Sequence, residues 1–131
     1  MKDVFKVGDR KHFIKRVEPA DVAAFHGEAV HQVYATFSMA RDAEWCCRLF
    51  VLEMKEEHEE GIGTYVHVNH NAPALPGSEI RFEAEITEIK GNAIHCAWKA
   101  EHNGRLLGSG TQGQKILKKE KLEQLFQSLQ P

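Results

Sequence analysis

The chain has 131 residues, 42% of them hydrophobic, and a formal net charge of −2, which fits a single domain over residues 1–131 with one core. That balance leaves no basic footprint for nucleic acid, no apolar run is long enough to span a membrane, and Met1-Lys2-Asp3-Val4-Phe5-Lys6 carries no secretory pattern. Three cysteines, two of them adjacent at Cys46 and Cys47, make no disulfide framework, so a reducing cytoplasm is the expected compartment.

Lys11 to Val17 reads as a first strand, and Glu18 to Gly27 as a short helix or lid opened near Pro19 and stopped by Gly27. Thr36 to Met54 lacks glycine and proline. Its apolar residues Met39, Ala40, Ala43, Cys47, Phe50, Val51 and Met54 recur at steps of three and four, which predicts a long helix with one buried face. Glu44 falls inside that stripe, whereas Arg41 and Asp42 lie towards its flank. A buried carboxylate is costly unless paired, so Glu44 calls for a donor such as a histidine. Thr36 precedes Glu44 by eight residues, about two turns at 3.6 residues per turn, and shares its side of the helix. A hydroxyl at that place also serves as a simple N-cap. Cys47 is a small hydrophobe of the core face, and nothing beside Cys46 marks it as a nucleophile. The acidic cluster Glu53, Glu56, Glu57, Glu59 and Glu60 opposes the dipole at the helix end and reads as a solvated terminus rather than a metal site.

From Thr64 to His70 the residues alternate, with Thr64, Val66, Val68 and His70 on the expected buried face and Tyr65, His67, Asn69 and Asn71 on the other. Pro73 and Pro76 end this strand just after His70. A buried imidazole without a partner costs about 1–3 kcal/mol. Alone it would be a satisfied structural histidine, but Glu44 is misplaced in the same way, and two such groups from separate elements favour a shared site. Ile80, Phe82, Ala84 and Ile86 then alternate with Arg81, Glu83, Glu85 and Thr87 as a half-exposed strand. Lys90-Gly91-Asn92 turns it into Ala93 to Glu101. Asn103-Gly104 is a strong hairpin signal, and Arg105 to Leu117 forms the last strand, where Gly108, Gly110 and Gly113 signal bulges or close backbone approach. Lys119 to Leu129 is a terminal amphipathic helix. One strand, a long helix and four consecutive antiparallel strands predict an α+β hotdog fold, a five-stranded antiparallel sheet wrapped around one central helix.

The pattern Tyr34-Ala35-Thr36, Met39 and Glu44-Trp45, then Gly63-Thr64, Val68, His70, Ala72 and Pro76-Gly77, then Gly108-Ser109-Gly110-Thr111 resembles the fluoroacetyl-CoA thioesterase family over nearly the whole chain. The resemblance implies that Thr36, Glu44 and His70 are the catalytic residues, that the backbone of Gly63 lies beside the acyl group, and that Thr64 and Gln114 belong to the substrate contacts. A hydroxyl, a base and a carboxylate within reach suit attack on a thioester carbonyl, and a glycine or helix-end amide suits an oxyanion. Whether Thr36 or Glu44 forms the covalent bond stays open. Two departures restrict the likeness. The family's last-strand arginine falls on Gln114, with Lys115 pointing to the other face, and its lid phenylalanines fall on Glu28 and Val30, with Phe25 and Tyr34 out of register. The expected function is therefore hydrolysis of a small acyl-CoA thioester without fluoroacetyl specificity, in a homodimer, with coenzyme A as part of the substrate and no other cofactor. A non-catalytic acyl-CoA binding or sensing module is the alternative. Lesser readings are a metal held by His67, Asn69, Asn71 and His95, and coenzyme A phosphates on Lys115, Lys118, Lys119 and Lys121 in place of a solvated helix start. A hotdog hydratase would need a paired Asp/His motif in one loop, which is missing.

Overall fold

The computed structural model describes residues 1–131. In chain order it runs β1 (Arg10–Arg16), a 3₁₀ turn at Pro19–Asp21, β2 (Val22–Phe25), β3 (Glu28–Tyr34), α1 (Thr36–Met54), β4 (Glu59–His70), β5 (Glu79–Lys90), β6 (Ala93–His102), β7 (Arg105–Lys118) and α2 (Lys119–Ser128). One antiparallel sheet takes five strands in the order β1-β5-β6-β7-β4, and β2 pairs with β3 in a separate hairpin.

The two-residue period of β5 does what it predicts. Ile80, Phe82, Ala84 and Ile86 are fully buried beneath α1, and Arg81 points to solvent. β6 repeats the pattern with Ile94, Cys96, Trp98 and Ala100. Against this face α1 lays Met39, Ala43, Cys47, Phe50, Val51 and Met54, so the core is a helix packed on one side of a twisted sheet. The β6–β7 hairpin closes at Asn103-Gly104, both with positive φ (49° and 77°), as a type I′ turn requires.

Three expectations are corrected. The segment Glu18 to Gly27 is not a helix. Only Pro19–Asp21 coils, and Val22–Phe25 turns back along Glu28–Tyr34. Consecutive left-handed residues, His26 (φ 52°) and Gly27 (φ 80°), close that hairpin. Four apolar residues bounded by such a turn are too few to bury a helical face, and a partner strand follows at once. Secondly, the buried side of α1 is rotated from the expected stripe. Ser38, Asp42 and Cys46 are inside, while Ala40 and Glu44 sit at the margin. The turn of the helix follows Asp42, whose carboxylate accepts from Tyr34 Oη and from Arg41. Thirdly, β4 is an edge strand. Thr64 and Val66 are exposed and His70 is half-buried, because α1 covers the middle of the sheet and leaves its rim open.

Candidate active site

The site forms where the rim strand β4 meets the N-terminal half of α1. Gly63 and His70 are seven residues apart, an odd spacing that a regular strand would put on opposite faces. A β-bulge resolves the conflict. Gly63 pairs with Gln114 and Tyr65 with Gly113, so Thr64 is the extra residue on β4. Beyond it Val66, Val68 and His70 face α1, and Gly63 does too. Thr64 itself turns outward, its hydroxyl close to where a side chain on Gly113 would begin. The expected place of Thr64 on the inner face is thereby corrected, and it reaches no other site residue.

Thr36 opens α1. Ala35 is its N-cap, so the capping role considered for Thr36 does not apply. Its Oγ1 instead lies 2.9 Å from His70 Nδ1. His70 is steadied from behind by Tyr34, edge-on at a centroid distance of 6.5 Å. Tyr34 is in turn fixed by its hydroxyl bond to the buried Asp42. Burial and that bond push the phenol well above its ordinary range, so it stays a donor. Asp42 shares Arg41 with Asp21, which also pairs with Lys15 at 3.1 Å. Burial alone would raise the Asp21 carboxyl, but bonds from Arg41, the Glu18 amide and Lys15 outweigh it and hold the carboxyl below its usual value. Tyr34 and Asp42 thus support the site and lie outside the residues expected for it from the sequence. Their signal was faint, a tyrosine just before the helix and an acid eight residues later.

Glu44 is half-exposed, and its Oε1 lies 3.0 Å from the position a Cβ on Gly63 would occupy. It bonds neither His70 nor any other donor of the chain. Half in water, it does not need the buried partner expected for it. The structure thus brings Thr36 to His70 and, about 20 Å along β4, Glu44 to Gly63, two separate pairs along the furrow where α1 passes β4. An open depression of about 250 Å³ lined by Thr36, His70, Asn71, Ala72 and Pro73 lies at the Thr36–His70 end. The first-turn amides of α1 lie beside Thr36 at the positive pole of a 19-residue helix. The hairpin leans on that turn through Phe25 and Phe37, whose rings meet edge-on at 5.8 Å.

Gln114 does not line the furrow. It is buried, and its Nε2 donates to the Cys47 carbonyl at 2.9 Å, a structural tie between β7 and α1. Arg48, one turn beyond Glu44, bonds Glu60 at 2.9 Å, and Arg105 donates to the carbonyl of Pro73, a residue of the depression, at 2.9 Å. His95 bonds the Tyr65 hydroxyl at 2.9 Å, and no three His, Cys, Asp or Glu residues converge in a metal-like group. Lys115, Lys118, Lys119 and Lys121 are exposed towards the opposite end of β7, where Lys118 pairs with Glu59 while Gly108 pairs with His70. At 3.3 Å per residue, roughly 30 Å of strand separates the two ends. Of the acidic cluster, Glu53 pairs with Lys11 and Glu60 with Arg48. Burial pushes the Cys46 thiol up to about 12, and the bond of Cys47 with Cys96 together with burial raises the Cys47 thiol, so these thiols stay protonated. No helix is long and apolar enough to cross a membrane.

The family model described as fluoroacetyl-CoA-specific thioesterase, FlK, matches residues 17–120. The fluoroacetyl-CoA thioesterase of Streptantibioticus cattleyicolor is 28% identical over 127 residues, covering 92% of this chain and 91% of that protein. A thioesterase superfamily member of Thermus thermophilus superimposes with a TM-score of 0.91 at 38% identity, over 95% of this chain and 92% of the other. A fluoroacetyl-CoA thioesterase structure gives 0.85 at 26% identity, over 98% and 100%. Fold and relatives together define a hotdog-fold thioesterase, a hydrolase. Within that class the chain belongs to the fluoroacetyl-CoA-specific thioesterase family.

Proposed function

We propose that this thioesterase hydrolyses a small acyl-CoA thioester through Thr36, Glu44 and His70, and that the observation carrying this reading is the 2.9 Å bond between Thr36 Oγ1 and His70 Nδ1 at the mouth of the furrow. With its proton on Nε2, His70 accepts the Thr36 hydroxyl proton at Nδ1 as Thr36 Oγ1 attacks the thioester carbon. The first-turn amides of α1 are the donors nearest the developing oxyanion. His70 returns the proton to the departing thiolate of coenzyme A. Glu44 then takes a proton from the water that opens the acyl-threonine, the departing Thr36 oxygen takes up the proton of the tetrahedral hydroxyl, and Glu44 sheds its own to solvent as the carboxylate leaves. Gly63 lets the Glu44 carboxylate lie against the β4 backbone with no side chain between them.

The working unit is a homodimer. β4 ends the sheet with unpaired backbone groups and an exposed Tyr65 (43%) and Val66 (37%). A second copy against this edge would cover it and wall the furrow. Light scattering on the eluting protein should give about twice the 14.9 kDa chain mass, and an active monomer would end the shared-furrow proposal. A panel of short acyl-CoA thioesters with thiol detection tests the chemistry. Thr36→Ala and His70→Ala should each lower kcat by about 100-fold or more, and Glu44→Gln should accumulate an acyl-enzyme visible by intact mass. Binding of acyl-CoA without release of thiol would instead establish a non-catalytic module.

A further inference from the structure

Beneath the first turns of α1 lies a chain of polar bonds that a helix packed on a sheet does not require. Tyr34, Asp42 and Asp21 are all buried. The Tyr34 hydroxyl donates to Asp42. Arg41 Nη2 donates to Asp21 at 2.8 Å and to Asp42 at 3.1 Å, and Lys15 meets Asp21 at 3.1 Å. Exchanging such a cluster for apolar side chains of similar volume is often neutral or stabilising, so stability alone does not account for it.

Both members of the Thr36–His70 pair rest on this chain. On the histidine side, the Tyr34 ring stands edge-on to the imidazole at 6.5 Å and 70°. The only hydrogen bond to the His70 ring within the chain is that from Thr36 at Nδ1. The outer torsion of a histidine side chain is broad, so one bond leaves the tilt of the ring open and a neighbouring wall must set it. The Tyr34 amide also donates to the Ala74 carbonyl at 2.8 Å, which ties down the segment leaving His70. On the threonine side, the Asp21 carbonyl accepts from the amide of Ala35, the residue before Thr36, at 2.8 Å. Its carboxylate grips Arg41 further along the helix. The start of α1 is therefore fixed at two points by one buried acid.

Building on the proposed thioesterase site, we infer that Tyr34 and Asp42 are positioning residues of the reaction. Anchored through Arg41 and Asp21, they hold the His70 imidazole in the tilt at which Nδ1 faces the Thr36 hydroxyl. They act through the histidine, so their loss should register in turnover and leave substrate capture alone.

Two variants of the full-length protein test this. Tyr34→Phe removes one hydroxyl and keeps the ring, and Tyr34→Phe with Asp42→Leu replaces the buried bond by apolar groups. With acetyl-CoA and butyryl-CoA as substrates, each should lower kcat by about 10-fold, a fraction of the roughly 100-fold that a 1 Å misplacement costs. KM should stay within about 2-fold. The melting temperature of the double variant should hold or rise. In a His70→Ala background, Tyr34→Phe should change the residual rate by less than about 2-fold, since both act on one contact. The ring-nitrogen NMR signals of His70, assigned by their loss in His70→Ala, should show the Nδ1 bond in the wild type and its weakening in Tyr34→Phe. Unchanged kcat in Tyr34→Phe, or an equal loss in the His70→Ala background, would overturn the assignment and leave the cluster purely structural. If the double variant folds poorly, Tyr34→Phe and its nitrogen spectrum decide. Hydrolysis of no thioester by the wild type would sink the thioesterase site and this inference with it. A site that needs Thr36 and His70 but ignores Tyr34→Phe sinks only the inference.

Discussion

Gly63→Ala is the sharpest probe of the furrow. Gly63 has no positive φ, so alanine adopts its backbone without strain. The added methyl would sit 3.0 Å from Glu44 Oε1 and 3.3 Å from Cδ and Oε2. Ordinary contact for such atoms is about 3.5 Å, so the carboxylate must retreat by roughly 0.5 Å. Glu44 is half-exposed and ends a flexible side chain, so it can retreat at little cost. Alanine also narrows the unfolded ensemble, which stabilises by about 0.4–1 kcal/mol. Net stability should therefore change by less than about 1 kcal/mol. Activity should fall much further, because a misplacement of about 1 Å costs on the order of 100-fold. Half that shift, with the acyl space narrowed, is expected to cost about 10-fold in kcat, or about 1.4 kcal/mol of barrier. Thiol release gives kcat and KM, and a melting curve on the same sample separates chemistry from folding. In a Glu44→Gln background the alanine should add little, since both changes act on one contact. Unchanged turnover in the single variant would refute the placing of Glu44 beside the acyl group.

Glu44→Gln should leave the melting temperature within a few degrees of the wild type, because the half-exposed carboxylate holds no partner that the amide would abandon; a collapse on calorimetry would make Glu44 structural. Asp21 has a folded pKa lowered from 3.8, so its stabilisation is complete above that value and is lost as pH falls through the lower one. The melting-temperature gap between wild type and Asp21→Asn should accordingly be widest near neutrality and close below about pH 4. Iodoacetamide at neutral pH should label none of Cys46, Cys47 and Cys96 in the folded enzyme, since all three are buried, and activity should survive. Rapid labelling with inactivation would contradict the burial.

The parts of this molecule legible in the chain were those with a strong local period. β5 announced its inner face through Ile80 to Ile86, Asn103-Gly104 announced a hairpin, and α1 takes the bounds Thr36–Met54 of the segment that reads as helical. Which flank of α1 is buried was not legible, because Asp42 is drawn inward by Tyr34, a residue outside the helix, and no helical period contains that partner. The β2–β3 hairpin was missed for a related reason. Its strands are short, its turn uses His26-Gly27, and its packing rests on Phe37 from another element. The exposure of β4 follows from strand order, a tertiary fact. For the site, Thr36, Glu44 and His70 could be named from the chain, but the direct bond of Thr36 with His70 and the approach of Glu44 to Gly63 depend on how β4 lies against α1.

The bulge in β4 also bears on how this strand tolerates changes of length. Thr64 is the unpaired residue of the ladder, and its neighbours Gly63 and Tyr65 oppose the adjacent residues Gln114 and Gly113. Excising Thr64 would therefore join two positions that already point to opposite sides, and Gly63, Val66, Val68 and His70 would all keep their side of the sheet. Removing a residue anywhere between Val66 and His70 would instead swing His70 or Gly63 to the outer surface and part the histidine from the glycine. Single-residue deletions along β4 should thus be survivable for the furrow at Thr64 and ruinous a few positions later, which makes the bulge a point of slack at which lineages can differ in length without moving the imidazole.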